Sequence, residues 1–163
     1  MLSCVSEPLP PDAFRPSYCD RTGKIYYSRD FKRELLPNLV KVPSAPQSLD
    51  EWVRIFQRPW VDTGFFAFAN PIANMPAYGR EVGRAVGGGA LMLMQDYKPE
   101  EKERLLINYV QVAIDYWGVV KSGHPGWDAW GGYGSGRKIN MVLAGILLGD
   151  KAMAAPTKSF PEV

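Results

Sequence analysis

Residues 124–138 read HPGWDAWGGYGSGRK and gather a His, an Asp, two Trp, a Tyr, an Arg and a Lys within fifteen positions hinged by glycines. These residue types point to a polar site with aromatic walls. Trp127, Trp130 and Tyr133 offer flat faces on which sugar rings stack, while Asp128, Arg137 and Asn140 supply hydrogen bonds. Tyr133 is the candidate acid or base, because a nearby Arg or Lys lowers a phenol's pKa and favours the phenolate. His124 and Asp128 complete the candidate catalytic set. Each of these has a plainer use. A lone His next to Pro more often makes a loop hydrogen bond than a proton transfer, and Trp127 beside Pro125 serves equally well as a plug at the end of a helical bundle.

Arg137 and Lys138 open a helix, and a helix N-terminus already carries about half a positive charge. Their repulsion has to be relieved by an anion. Two sources stand: an internal carboxylate, with Asp128 and Asp115 nearest in sequence, or a carboxylate, sulfate or phosphate on a ligand. A second cluster, NMPAYGRE at 74–81, adds Tyr78 and Arg80 as candidate substrate contacts at the opening of an earlier helix, with a solvated face as the plain use of Arg80 and Glu81.

Other chemistries are excluded by spacing. In GGYGSGRK the Arg follows the last Gly, no Ser or Thr follows Lys138, and the run follows a helix, which removes both the phosphate loop and the dinucleotide fingerprint. Ser135 has Tyr133 and Arg137 where a nucleophile elbow needs glycines. With His124 as the single His and no C-x-x-C spacing, neither a metal nor a cofactor is expected. Cys4 and Cys19 either pair or remain two thiols.

The elements that position these residues are helices. Ser48 and Glu51 form a capping box, after which Leu49, Trp52, Val53 and Phe56 share one face until Pro59. Residues 60–73 carry aromatics without a helical period, an extended loop or, at 65–68, a short strand. Asn74 and Pro76 open a helix to about Asp96, striped by Gly79, Gly83 and Gly87, with close approach of a neighbouring helix as the expected compensation. The triplet at 87–89 is a possible break in that helix. Pro99, Glu100 and Glu101 start a helix apolar nearly all round, closed by Lys121, Gly123 and Pro125. A second apolar helix over 139–148 ends at Gly149, and Asp150 caps one more turn before Pro156. Upstream, residues 1–46 form a Pro-rich arm with a weak hairpin signal at Thr22-Gly23 and a short helix from Ser28 to Leu36. Such an arm must lie along something else to be ordered. The expected architecture is therefore all-α, an arm over 1–46 and helical hairpins over 47–163.

Bulk properties bound the partners. At 163 residues the chain is one domain in size, and 46% hydrophobic with 22% charged is ordinary globular composition. A net charge of +2 without a basic run gives no support for nucleic acid, and no apolar run reaches membrane-span length. The start lacks the order of a secretory signal, so the chain carries no address, which leaves an exported setting open for a longer protein. The closing PTKSFPEV reads as non-helical and without a stop signal, so a fragment is expected.

The segments NMPAYGRE, VQVAIDYWGV and GGYGSGRKINMVLAGILL resemble a group of uncharacterised bacterial and environmental proteins whose helical domain looks like the (α/α) toroids of polysaccharide lyases and related glycan-active enzymes. The arm, with Phe14-Arg15-Pro16 and Tyr18-Cys19, resembles the segment before that domain. In the group the place of Tyr133 is usually His, and members continue beyond the point where this chain ends. The resemblance implies a partial toroid acting as a lyase or glycoside hydrolase on an acidic polysaccharide, or a non-catalytic carbohydrate-binding or assembly module. On either use Trp127, Trp130, Arg137, Lys138, Asn140, Tyr78 and Arg80 are the expected contacts, and Tyr133, His124 and Asp128 the expected catalysts. A second copy, or the missing C-terminal part of the same protein, is the remaining partner class.

Overall fold

The computed structural model describes residues 4–17, 23–43, 48–60, 79–123, 127, 132 and 134–159. Six α-helices follow in order among these residues: α1 Leu49–Phe56, α2 Gly79–Met94, α3 Pro99–Lys121, α4 Arg137–Leu148, α5 Lys151–Ala154 and α6 Pro156–Ser159. No β-strand occurs among them; two isolated bridges join Ala13 to Tyr27 and Leu39 to Gln95. The described chain is all-α. No described helix is long and apolar enough to cross a membrane.

Local chemistry sets most helix ends. Ser48 accepts from the Glu51 N–H while Glu51 accepts from the Ser48 N–H at 2.7 Å, a reciprocal cap that satisfies two orphan donors of α1. At the start of α3, Glu101 accepts from the Lys98 N–H at 2.8 Å, and Pro99 occupies a position where its missing N–H is harmless. Gly123 and Gly149 take positive φ just past α3 and α4, the backbone that lets a helix end in a left-handed residue. Asp150 accepts from the N–H groups of Ala152 and Met153 and caps α5.

α3 is the centre. Thirteen of its residues are buried, more than one face of a helix holds, so neighbours must cover it on several sides. α1, α2 and α4 each pack on it. Phe56 of α1 meets the Tyr109 ring at 5.0 Å, and the Tyr109 hydroxyl donates to the Val86 carbonyl of α2 at 3.3 Å. Burial raises the Tyr109 phenol far above its ordinary pKa, so it stays a neutral donor.

The arm closes another side. Phe14, Tyr26 and Phe31 are buried in the same apolar cluster as the helices. Arg15 pairs with Asp115 in the middle of α3, its backbone N–H donates to the Gln111 side chain at 2.9 Å, and Gln111 donates back to the Arg15 carbonyl. Lys24 and Tyr26 both reach the Asp150 carboxylate, and the Lys32 N–H donates to the Leu147 carbonyl at 2.9 Å. Antiparallel bonds run from the Phe14 N–H to the Tyr26 carbonyl and from the Ser28 N–H to the Asp12 carbonyl, whereas Tyr18, Cys19 and Thr22 of the hairpin expected around Thr22-Gly23 lie outside the described residues.

Three expectations need correction. The helix from Ser28 to Leu36 is two separate 3-10 turns, Ser28–Asp30 and Arg33–Leu35, and Ser28 lies inside the first without capping it. Phe31 is turned into the core between them, which breaks the helical register. α2 itself runs unbroken through the glycine triplet to Met94, in line with the helix expected to about Asp96 and against the alternative of a break at 87–89. The close approach along α2 is made at Gly83, Gly88 and Gly89 and not at Gly87: a Cβ on Gly88 would sit 2.1 Å from the Trp52 ring and one on Gly89 2.7 Å from Phe56, whereas Gly87 faces open space. Pro156–Ser159 is a turn of helix, where PTKSFPEV suggested none. The expected Asn74 cap and the 65–68 strand lie outside the described residues, as does the 60–73 loop beyond Trp60.

Two outcomes follow from this packing. Gly87→Ala should raise stability by about 0.5–1 kcal/mol by removing a helix-interior glycine, whereas Gly88→Ala should lower it by about 1–3 kcal/mol through overpacking against Trp52. Urea unfolding of the pair measures both, and equal midpoints would contradict the assigned faces of α2. Asp150 supplies a pH test. Burial alone would raise its carboxyl, but hydrogen bonds from Lys24, the Met153 N–H and Tyr26 hold it below its ordinary value. A carboxyl depressed in the folded state stabilises above its unfolded pKa, and that contribution fades as pH falls through the folded one. Asp150→Asn should therefore lower Tm at pH 7 and flatten its fall between about pH 5 and 3. An acid profile as steep in the variant as in the parent would contradict the assignment.

Candidate functional site

The site is set by how α4 begins. Gly136 precedes it with φ of 86°, in the region open mainly to glycine. Gly136 also lies flat on α2: a Cβ there would come within 2.5 Å of the Gly83 Cα. The glycine-rich turn is thereby pressed onto α2, and one face of the first turn of α4 goes inward with it. Arg137 is 2% exposed and Asn140 0% exposed, three residues apart on one helical face. Ile139 and Lys138 stay outside, and Lys138 donates to the Thr157 hydroxyl of α6 at 2.7 Å.

A guanidinium buried at the positive end of a helix needs compensation. Part of it comes from Trp127, whose ring centroid is 5.3 Å from the Arg137 Cζ. A desolvated contact of this kind contributes about 2 kcal/mol. Trp127 is in turn held edge-on by Tyr116 of α3, with centroids 5.4 Å apart at 73°. The three side chains make one stack from α3 to α4, and the indole at its end stays half-exposed. Asp115, one of the carboxylates anticipated for Arg137, is buried and paired with Arg15 of the arm.

Asn140 differs from its neighbours. Neither its Oδ1 nor its Nδ2 has a hydrogen-bond partner, and both are sealed from water. A buried amide in that state costs roughly 1–3 kcal/mol for each unmet group.

The structure thus brings Trp127, Arg137 and Asn140 to one end of α4, with Lys138 on its outer surface. Arg80 stands 75% exposed at the start of α2, where it donates to Glu81 at 2.8 Å, a solvated pair on a helix surface. Tyr78, His124, Asp128, Trp130 and Tyr133 lie outside the described residues. Tyr116 went unnoticed in the sequence because nothing in the run VQVAIDYWGV separates a wall of the site from ordinary core. No group of three or more His, Cys, Asp or Glu among the described residues stands close enough to hold a metal ion. Cys4 is an exposed free thiol.

An open groove of about 750 Å³ is lined by different residues, among them Arg33, Lys41, Tyr97 and Lys102. Three of its cations already have partners. Arg33 pairs with Glu103, Lys41 lies over the Tyr97 ring at 4.2 Å, and Lys102 donates to the Gln95 carbonyl at 3.0 Å.

Comparison with known proteins finds no matching family model, no matching curated protein and no matching solved structure.

The stack makes Arg137→Lys non-conservative, because an ammonium keeps the charge but loses the flat face that meets the indole. The variant should lose about 1–2 kcal/mol of stability, read as a lower urea midpoint with unchanged slope. An unshifted midpoint would mean that the guanidinium plane contributes nothing.

Proposed function

We propose that the chain binds an acidic polysaccharide at the glycine-rich loop and the first turn of α4, and acts on it as a lyase or glycoside hydrolase. The observation that carries the proposal is Trp127. An indole fixed beneath by Arg137 and at its edge by Tyr116, yet half-exposed, is a rigid platform of the sort on which a sugar ring stacks at little entropic cost. Trp130 serves in this reading as a second stacking ring. Lys138, exposed one residue after Arg137, neutralises a uronate directly, while Arg137 contributes positive potential from below the ring. Tyr133 abstracts or delivers the proton, with His124 and Asp128 as its assistants, and Tyr78 and Arg80 bind further along the chain of sugars. On this proposal the helical hairpins are part of an (α/α) toroid with the site at its mouth.

A second use, as a non-catalytic carbohydrate-binding or assembly module, draws support from the burial of Arg137, whose guanidinium is committed to an indole instead of to solvent.

A panel of acidic polysaccharides separates these. Binding with new unsaturated or reducing ends, abolished in Tyr133→Phe and weakened at least tenfold in Trp127→Ala, is the outcome expected of the enzyme. Binding without product identifies the module. Absence of binding across the panel contradicts both.

A further inference from the structure

Five polar or charged side chains are buried among the described residues: Gln95, Lys102, Asp115, Arg137 and Asn140. Four are engaged. Gln95 accepts from the Val42 N–H and donates to the Met92 sulfur, Lys102 donates to the Gln95 carbonyl, Asp115 pairs with Arg15, and Arg137 lies under Trp127. Asn140 alone has neither amide atom bonded. No hydrogen bond within the chain rewards an amide there. Beyond Arg137, its buried side-chain neighbours on α4, Met141, Ala144 and Leu147, are apolar, and an apolar side chain at 140 would bury without leaving a donor and an acceptor stranded.

The position of the amide gives it a use. Asn140 shares a helical face with Arg137 at the N-terminus of α4, where backbone N–H groups favour an anion. A guanidinium, one amide donor and one amide acceptor together match a carboxylate with an adjacent hydroxyl, the pair that a uronic acid presents. Both side chains are closed to solvent in the free chain, so such a ligand reaches them only when the covering groups move aside.

We infer that Asn140 is a ligand contact which the free chain holds sealed at a cost in stability, and that binding at the first turn of α4 is coupled to a local opening there. The inference rests on the proposed glycan site for the identity of the ligand. It deepens that site by naming the residue whose hydrogen bonds are made only in the complex.

Asn140→Leu tests it through two readouts: Tm of the ligand-free protein, and affinity for polygalacturonate and alginate. The expected result is a Tm about 3–6 °C higher with affinity at least tenfold weaker. A lower Tm in both Asn140→Leu and Asn140→Ala would show that the amide serves the fold, and an unchanged affinity would show that no ligand meets it; either result overturns the inference. A raised Tm in a protein whose parent binds neither polyuronate contradicts the glycan proposal while supporting the assignment of Asn140 as unmet in the free chain. Asn140→Ala, which needs no extra room, serves if Leu does not fit: a Tm at or above the parent's supports the inference and a lower one overturns it.

Discussion

A helix that is apolar on nearly every side has to be surrounded, and α3 is that helix. Leu105, Tyr109, Val110, Ala113, Ile114 and Trp117 are all at or below 3% exposure, and no single neighbour can cover them. Covering them recruits α1, α2 and α4, and leaves a further side to the arm. The arm therefore behaves less like an appendage than like a missing layer. Phe14 enters the core, and Arg15 joins Asp115 across a hundred residues of sequence. Asp115 is buried and Arg15 only partly so, and removing the arginine would leave a buried carboxylate without it, so the pair holds the arm in one register.

The same requirement shapes the start of α4. To lie on both α2 and α3, α4 must bring its first turn into contact, and the approach of Gly136 to Gly83 lets it do so. The turn carries Arg137 inward. Charge that local rules place at the wrong end of a helix is then met partly by the π-face of Trp127, itself steadied by Tyr116. An indole that packs against the core yet is only partly buried links packing to binding. Structural plug and sugar platform are, at Trp127, compatible roles.

Much of the helical order was legible because it is written in short-range chemistry. Ser48 with Glu51, Pro99 with Glu101, Gly123, Gly149 and Asp150 act within a turn of where they stand, so their spacing alone locates the ends of α1, α3, α4 and α5. Tertiary contacts were not legible. That Gly88 and not Gly87 meets an aromatic depends on the angle at which α1 crosses α2, which no residue of α2 encodes. The reach of Lys24 and Tyr26 to Asp150, and of Arg15 to Asp115, spans a hundred positions or more. The candidate site divides along the same line. Residue type and position marked Trp127, Arg137 and Asn140, but the inward turn of the guanidinium and the isolation of the Asn140 amide follow from the seat of Gly136 on α2. Arg80 stands apart from this group, exposed at the start of α2 and paired with Glu81.

The central claim is that the indole platform and the first turn of α4 face an acidic glycan. Hydrogen–deuterium exchange along the whole chain, with and without saturating polygalacturonate or alginate, tests it most directly. The account predicts a change in exchange concentrated in the segments around Trp127 and across residues 134–141, with the far end of α3 near Pro99 unaffected. A footprint elsewhere, such as the groove between Arg33 and Lys102, or identical exchange in both conditions, would contradict it.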